Sequence, residues 1–140
     1  MRIIKSQGEL PQEFANAVLS ENWQEAYEIV LPLAKQGNAS AEHTIGWFHQ
    51  QGQEVPQSDK EAFAWWSISA PKGIAESQAG LGSLYLSGRG TEANYQKAYY
   101  WLSLAVKNGE AHATTEAQQA KKKLTLWQYL YIKLLLLVKT

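Results

Sequence analysis

Few side chains in this sequence can act as nucleophile, base or metal ligand, and their spacing works against each role. There is no cysteine, which removes thiol chemistry and any disulfide framework. The histidines are His43, His49 and His112. On a helix, His43 and His49 point well away from each other and cannot share a metal ion. Glu42-His43 does not belong to the H-E-x-x-H pattern of zinc hydrolases. Gly80-Leu81-Gly82-Ser83 has the glycines of a phosphate loop but lies inside a helical pattern and follows no strand. No catalytic, cofactor-binding or metal-ligating residue is therefore assigned, no cofactor is expected, and an enzyme is the remote reading. The 13 Lys and Arg balance 13 Asp and Glu. Nucleic acid is thus not the expected main partner, because binding phosphates needs an excess of cations on one face. Six tryptophans and seven tyrosines supply large amphipathic rings suited to helix packing and to binding surfaces.

The elements that would position these rings are set by a period of 36 residues. Asn22, Ser58 and Asn94 share it, as do Ala26, Ala62 and Ala98, and Gly37, Gly73 and Gly109. A fixed period of this size marks stacked repeats, each too small to bury its own apolar face. Asn22, Ser58 and Asn94 can each cap a helix start, with Glu25 and Glu61 at capping-box spacing after the first two. Each helix then closes at glycine, which tolerates the left-handed conformation. Lys35, Lys72 and Lys107 meet the negative end of the helix dipole. Two further helices are predicted over Ala39–Gln51 and Ala75–Ser87. Leu10, Phe14 and Val18 suggest another that begins near Pro11. Pro32 should kink the helix that contains it. Gly46 and Gly82 sit mid-helix and imply close approach of a neighbouring backbone. Trp65 and Trp101 are the expected large knobs between repeats. Trp66 and Tyr100 read as outer-face packing.

Leu81-Gly82-Ser83-Leu84-Tyr85 matches the L-G-x-x-Y of tetratricopeptide-type repeats. With the A-x-x-W of the second helix, the Gly88-Arg89-Gly90 loop and the longer period, the chain resembles the Sel-one-like repeat (SLR) family over about residues 12–124. Leu31-Pro32-Leu33-Ala34-Lys35-Gln36-Gly37-Asn38-Ala39 is similar to the opening of many bacterial arrays of that family. There are departures. Gln53-Glu54-Val55 stands where a second loop glycine is usual, His49 replaces the tyrosine seen at Tyr85, and Thr91-Glu92 replaces the usual valine and proline. The resemblance implies an all-α fold, a short right-handed α-α superhelix of antiparallel helix pairs. A partial unit (10–38), two full units (39–74 and 75–110) and a terminal helix (111–124) make up residues 1–124. The tail, 125–140, stands apart.

The resemblance also implies a binding face. In such solenoids the concave groove is lined by first-helix positions not used for packing. Here these are Ser40, His43, Trp47 and Gln50, then Glu76, Ala79, Ser83 and Leu86. Trp47 is either a binding anchor, a role in which tryptophan is enriched, or a filler that packs on the N-terminal helix. The tail is mostly apolar, with Trp127, Leu130, Leu134 and Leu137 as its candidate contact residues. It is too short and too interrupted for a confident membrane span. Three accounts stay open: a cap folded back on the array, a self-association or partner helix, and a membrane-surface helix beside Lys121-Lys122-Lys123. Met1 to Leu10 has Arg2 and Lys5 but no apolar stretch of a secretory leader, so the cytoplasm is expected, with the periplasm open. The functional expectation is a non-catalytic protein–protein interaction scaffold. An immunity or inhibitor protein that occludes an enzyme and a membrane-associated adaptor are the alternatives.

Overall fold

The computed structural model describes residues 8–139. Arg2 and Lys5, and with them the reading of the N-terminal leader, lie outside the described residues, as does Thr140. Every regular element among the described residues is helical: α1 (Gln12–Leu19), α2 (Trp23–Lys35), α3 (Ala39–Gln51), α4 (Asp59–Ser69), α5 (Ala75–Ser87), α6 (Tyr95–Lys107), α7 (Thr114–Lys121) and α8 (Leu126–Val138). The chain divides into two compact units, residues 1–74 and 75–140.

In unit one, α2 and α4 begin as the sequence predicts. The side chain of Asn22 accepts the backbone N–H of Glu25 at 3.2 Å, and Ser58 accepts that of Glu61 at 3.1 Å. Neither closes a full capping box. The Glu25 carboxylate instead accepts from the Asn22 side-chain amide at 2.8 Å. Asn38 adds a cap at α3, accepting from Ala41 N–H at 2.9 Å. Helix α2 runs through Pro32, which faces solvent. The core is made by Ala17, Ala26, Val30, Ala34, Ala41, Ile45 and Phe48. Helices α3 and α4 form the tightest pair of this unit.

That pairing corrects two expectations. The buried tryptophan of α4 is Trp66, 3% exposed, and not Trp65, which is only half-buried. Its indole N–H donates to the His43 carbonyl at 3.1 Å, so the polar handle is satisfied where the ring is buried. The same ring explains Gly46. A Cβ there would fall 2.6 Å from Trp66 Cδ1, so the close neighbour is a side chain and not a backbone. Lys72 also has a different task from the one expected. Its ammonium donates to the Gly37 carbonyl at 3.1 Å and to Glu42 Oε1 at 2.6 Å. It thus serves the carboxyl end of α2 and a buried carboxylate rather than its own helix.

Unit two repeats this logic with other residues. Asn94 accepts from Lys97 N–H at 2.9 Å to start α6. Gly82 faces Leu102, where a Cβ would lie 2.6 Å from Leu102 Cγ and 3.1 Å from its backbone nitrogen. Where unit one places Glu42 and Lys72, unit two places Gln78 and Asn108. The Asn108 amide donates to Gln78 Oε1 at 2.9 Å. The interhelix loops close alike: Ser58 N–H donates to the His49 carbonyl and Asn94 N–H to that of Tyr85, both at 2.9 Å. Gly37, Gly73 and Gly109 all take positive φ, as the closing role requires.

The terminal helix is shorter than expected. Residues Ala111–Ala113 form a 3-10 turn and α7 starts only at Thr114. The tail then folds as α8, begun by a full capping box. Thr125 accepts from Gln128 N–H at 3.3 Å, and the Gln128 side chain accepts from Thr125 N–H at 2.9 Å. This reciprocal pair stops α7 and α8 from merging. Ile132 is buried, with Tyr129 and Leu136 packed beside it against Tyr99, Leu102 and Ala105 of α6.

Candidate functional site

Helix α3 carries four of the expected groove residues, all of them half-buried. His43 and Trp47 sit one turn apart and both line a pocket of about 260 Å³. Its other walls come from Phe14 and Val18 of α1, Trp23 of α2, and Thr44 and Phe48 of α3. Trp47 and Trp23 rings lie 5.7 Å apart at 38°, and Phe48 meets Trp47 edge-on at 5.4 Å. His43 stacks on Trp66 at 6.1 Å with planes 18° apart. Trp47 thus packs against Trp23 of α2 and also lines the pocket. Ser40 and Gln50 lie outside this pocket. The Ser40 carbonyl accepts the Thr44 hydroxyl at 2.8 Å, which holds Thr44 along the helix. Gln50 accepts from the Gln51 amide at 3.4 Å.

The four positions of α5 differ among themselves in burial. Glu76 is exposed, and Ser83 and Leu86 are half-buried. Ala79 is 7% exposed and packs in the core of unit two. A small side chain at that position sits too deep, against α6, to line a surface. Trp23, Phe14 and Val18 were not singled out as site residues by sequence. Their signal lies in a shared spatial corner of three helices and not in any local spacing.

The tail residues divide by face. Trp127 and Leu137 are 79% and 70% exposed, and Leu130 and Leu134 are exposed as well. None of the four is the residue that docks the helix; Ile132 is. Two grooves flank α8. One, about 330 Å³, is lined by Tyr99, Val106, Lys107, Lys133 and Leu136 among others. The second, about 450 Å³, is lined by Lys97, Tyr100, Trp101, Tyr131 and Lys139 among others. Among the described residues no cluster of His, Cys, Asp or Glu could hold a metal ion. No helix of the described residues is long and apolar enough to cross a membrane.

The Sel1 repeat profile matches residues 39–73 and 75–110, half of the chain. The chain belongs to the Sel1 repeat family. A protective antigen of uropathogenic Escherichia coli with an SLR fold superposes with a TM-score of 0.77 and 28% identity, covering 87% of this chain and 27% of that one. A Sel1 repeat protein of Oxalobacter formigenes gives a TM-score of 0.62 and 28% identity over 66% of this chain and 38% of its own. Among curated proteins, an exopolysaccharide production negative regulator of Rhizobium meliloti (strain 1021) is 30% identical over 109 residues, 68% of this chain and 41% of the regulator. A sel1-like repeat-containing protein of Acanthamoeba polyphaga mimivirus is 31% identical over 84 residues, 60% of this chain and 16% of the viral protein. The chain therefore spans less than half the length of each of these relatives. Sel1 repeats are generally protein-interaction scaffolds and typically non-catalytic, and their partners are proteins.

Proposed function

We infer that this Sel1 repeat chain is a non-catalytic scaffold that holds a partner protein by an anchor side chain seated in the pocket that Trp23 and Trp47 help to wall. The observation that carries the reading is the pocket itself. It is walled by the half-buried rings of Trp23 and Trp47 and the buried ring of Phe48, already packed on one another, so little side-chain freedom is lost on binding. At about 260 Å³ it falls below the roughly 300–1,000 Å³ of small-molecule sites. It suits one aliphatic or aromatic residue of a peptide. Ser40 and Gln50, beyond the pocket on α3, supply hydroxyl and amide groups for the peptide backbone on either side. In the second repeat, Glu76, Ser83 and Leu86 stand at the matching positions of α5 and leave side chains at the surface. A negative regulator among the relatives is compatible with a protein that acts by holding another.

The test is peptide selection on the purified chain, followed by affinity measurement on two variants. Thr44→Leu fills the pocket and leaves the core intact; Trp47→Ala removes its wall. Selected peptides should share one large apolar residue, and both variants should weaken binding by roughly 30-fold, the scale of an interface hot spot. Thermal melting checks that each variant is folded. Peptides that bind Thr44→Leu as tightly as the parent would remove the pocket from the mechanism.

A further inference from the structure

Helix α8 presents two unlike faces. Tyr129, Ile132 and Leu136 pack into unit two. The other side carries Leu126, Trp127, Leu130, Tyr131, Leu134 and Val138, all exposed. At helical spacing these six fall on one continuous arc with no charge within it. An exposed apolar stripe of this length marks a contact surface.

Charge decides what that surface meets. From residue 117 to 139 the chain has Lys121, Lys122, Lys123, Lys133 and Lys139 and no Asp or Glu. Both grooves beside α8 follow the same rule. Lys107 and Lys133 line one, Lys97 and Lys139 the other, and neither contains a carboxylate. Rings hold several of these cations at the rim of the helix: Lys121 Nζ lies 4.6 Å from the Tyr129 centroid, and Lys139 Nζ 5.4 Å from that of Tyr100. The ion pairs among the described residues involve none of these lysines. A second copy of the same face would bring an identical set of lysines with no counter-charge. An anionic lipid surface brings the counter-charge and an apolar layer together.

We propose that α8 is a membrane-surface helix for anionic bilayers. Leu126, Trp127, Leu130 and Leu134 enter the boundary between headgroups and acyl chains, and the lysines of the two flanking grooves bind lipid phosphates. At 13 residues the helix is about 20 Å long, so it lies along the interface and does not span. Lysine stems reach past apolar neighbours to keep the ammonium at headgroup level.

Vesicle co-sedimentation of the full chain tests this. Vesicles of phosphatidylcholine alone are compared with vesicles of equal parts phosphatidylcholine and phosphatidylglycerol, at low and high salt. Binding is expected only to the anionic vesicles and should weaken as salt screens the lysines. Lys122→Gln, Lys123→Gln and Lys133→Gln should each reduce partitioning about fivefold, the equivalent of the ~1 kcal/mol a lysine contributes near such a surface. Leu130→Gln with Leu134→Gln should abolish it. All these side chains are exposed, so circular dichroism should be unchanged. Lipid-borne quenchers should reach Trp127, read as the signal lost in Trp127→Phe. Absence of binding to anionic vesicles, or equal binding to neutral ones, overturns the proposal. So does a stable dimer that persists with vesicles present and is dispersed by the leucine pair, since a second copy then covers the face.

Discussion

Glu54 shows how a single residue departs from the repeat it belongs to. It holds φ at +62°, beside +71° for Gly90 at the matching place in the next loop. A non-glycine residue in the left-handed region costs about 1–2 kcal/mol, and nothing in its contacts compensates beyond an exposed bond from Gln53 at 3.1 Å. The sequence identifies the missing glycine; the structure identifies the strain. Glu54→Gly is expected to stabilise the chain by about 0.5–1 kcal/mol, after the entropy that glycine loses on folding. Gly90→Ala should destabilise it by about 1 kcal/mol. Urea unfolding midpoints read both. A fall for Glu54→Gly would mean that its side chain has a role the contacts do not reveal. The helix caps belong to this scale too. Asn22, Ser58 and Asn94 were legible because a cap is a bond between residues three apart, which sequence spacing states directly.

Between elements, one position is solved in two ways. Glu42 of α3 is buried and pairs with Lys72, whose side chain is 40% exposed. Gln78 of α5 pairs with Asn108 by a neutral hydrogen bond. The neutral pair avoids the desolvation of a buried carboxylate. Lys72→Asn alone should therefore cost about 2 kcal/mol, below the roughly 3–5 kcal/mol of a fully buried broken pair, because water reaches the lysine end. Adding Glu42→Gln should restore stability to within about 1 kcal/mol of the parent. A double-mutant cycle by denaturation measures this. Strict additivity of the two changes would show that the pair is not coupled. The helix pairs also show why adjacent tryptophans could not be sorted by sequence. Trp65 and Trp66 differ by a third of a turn, and which one meets Gly46 depends on how α4 is rotated against α3. That rotation is a property of the packed pair, not of either helix.

In the molecule as a whole, the aromatic pocket and the exposed apolar face of α8 fall in different units. Residues up to 74 contain five Lys and Arg against nine Asp and Glu, and those from 75 onward contain eight against four. A formal charge of zero conceals that division. The aromatic pocket lies in the acidic unit and the lysine-flanked helix in the basic one. In the basic unit, α8 also has a structural duty, because Ile132 completes the core around α6. Ile132→Ala is expected to cost about 2–5 kcal/mol and to speed hydrogen exchange in α6 and α8. Unchanged exchange in α6 would mean that α8 is not part of that core.

By itself the sequence determined the all-helical fold, the family, the capped starts of α2, α4 and α6, and the closing glycines. These depend on contacts between near neighbours and on a period that repeats them. It also marked Trp47 and the apolar tail as exceptions to the pattern. Only the tertiary structure decided that Trp66 is the buried ring, that Ala79 is core, that Trp47 shares a pocket with Trp23 and Phe14, and that α8 docks by Ile132 and leaves Leu130, Leu134 and Leu137 outside. Those outcomes turn on which faces distant segments present to each other, and residue spacing along a single chain does not contain that information.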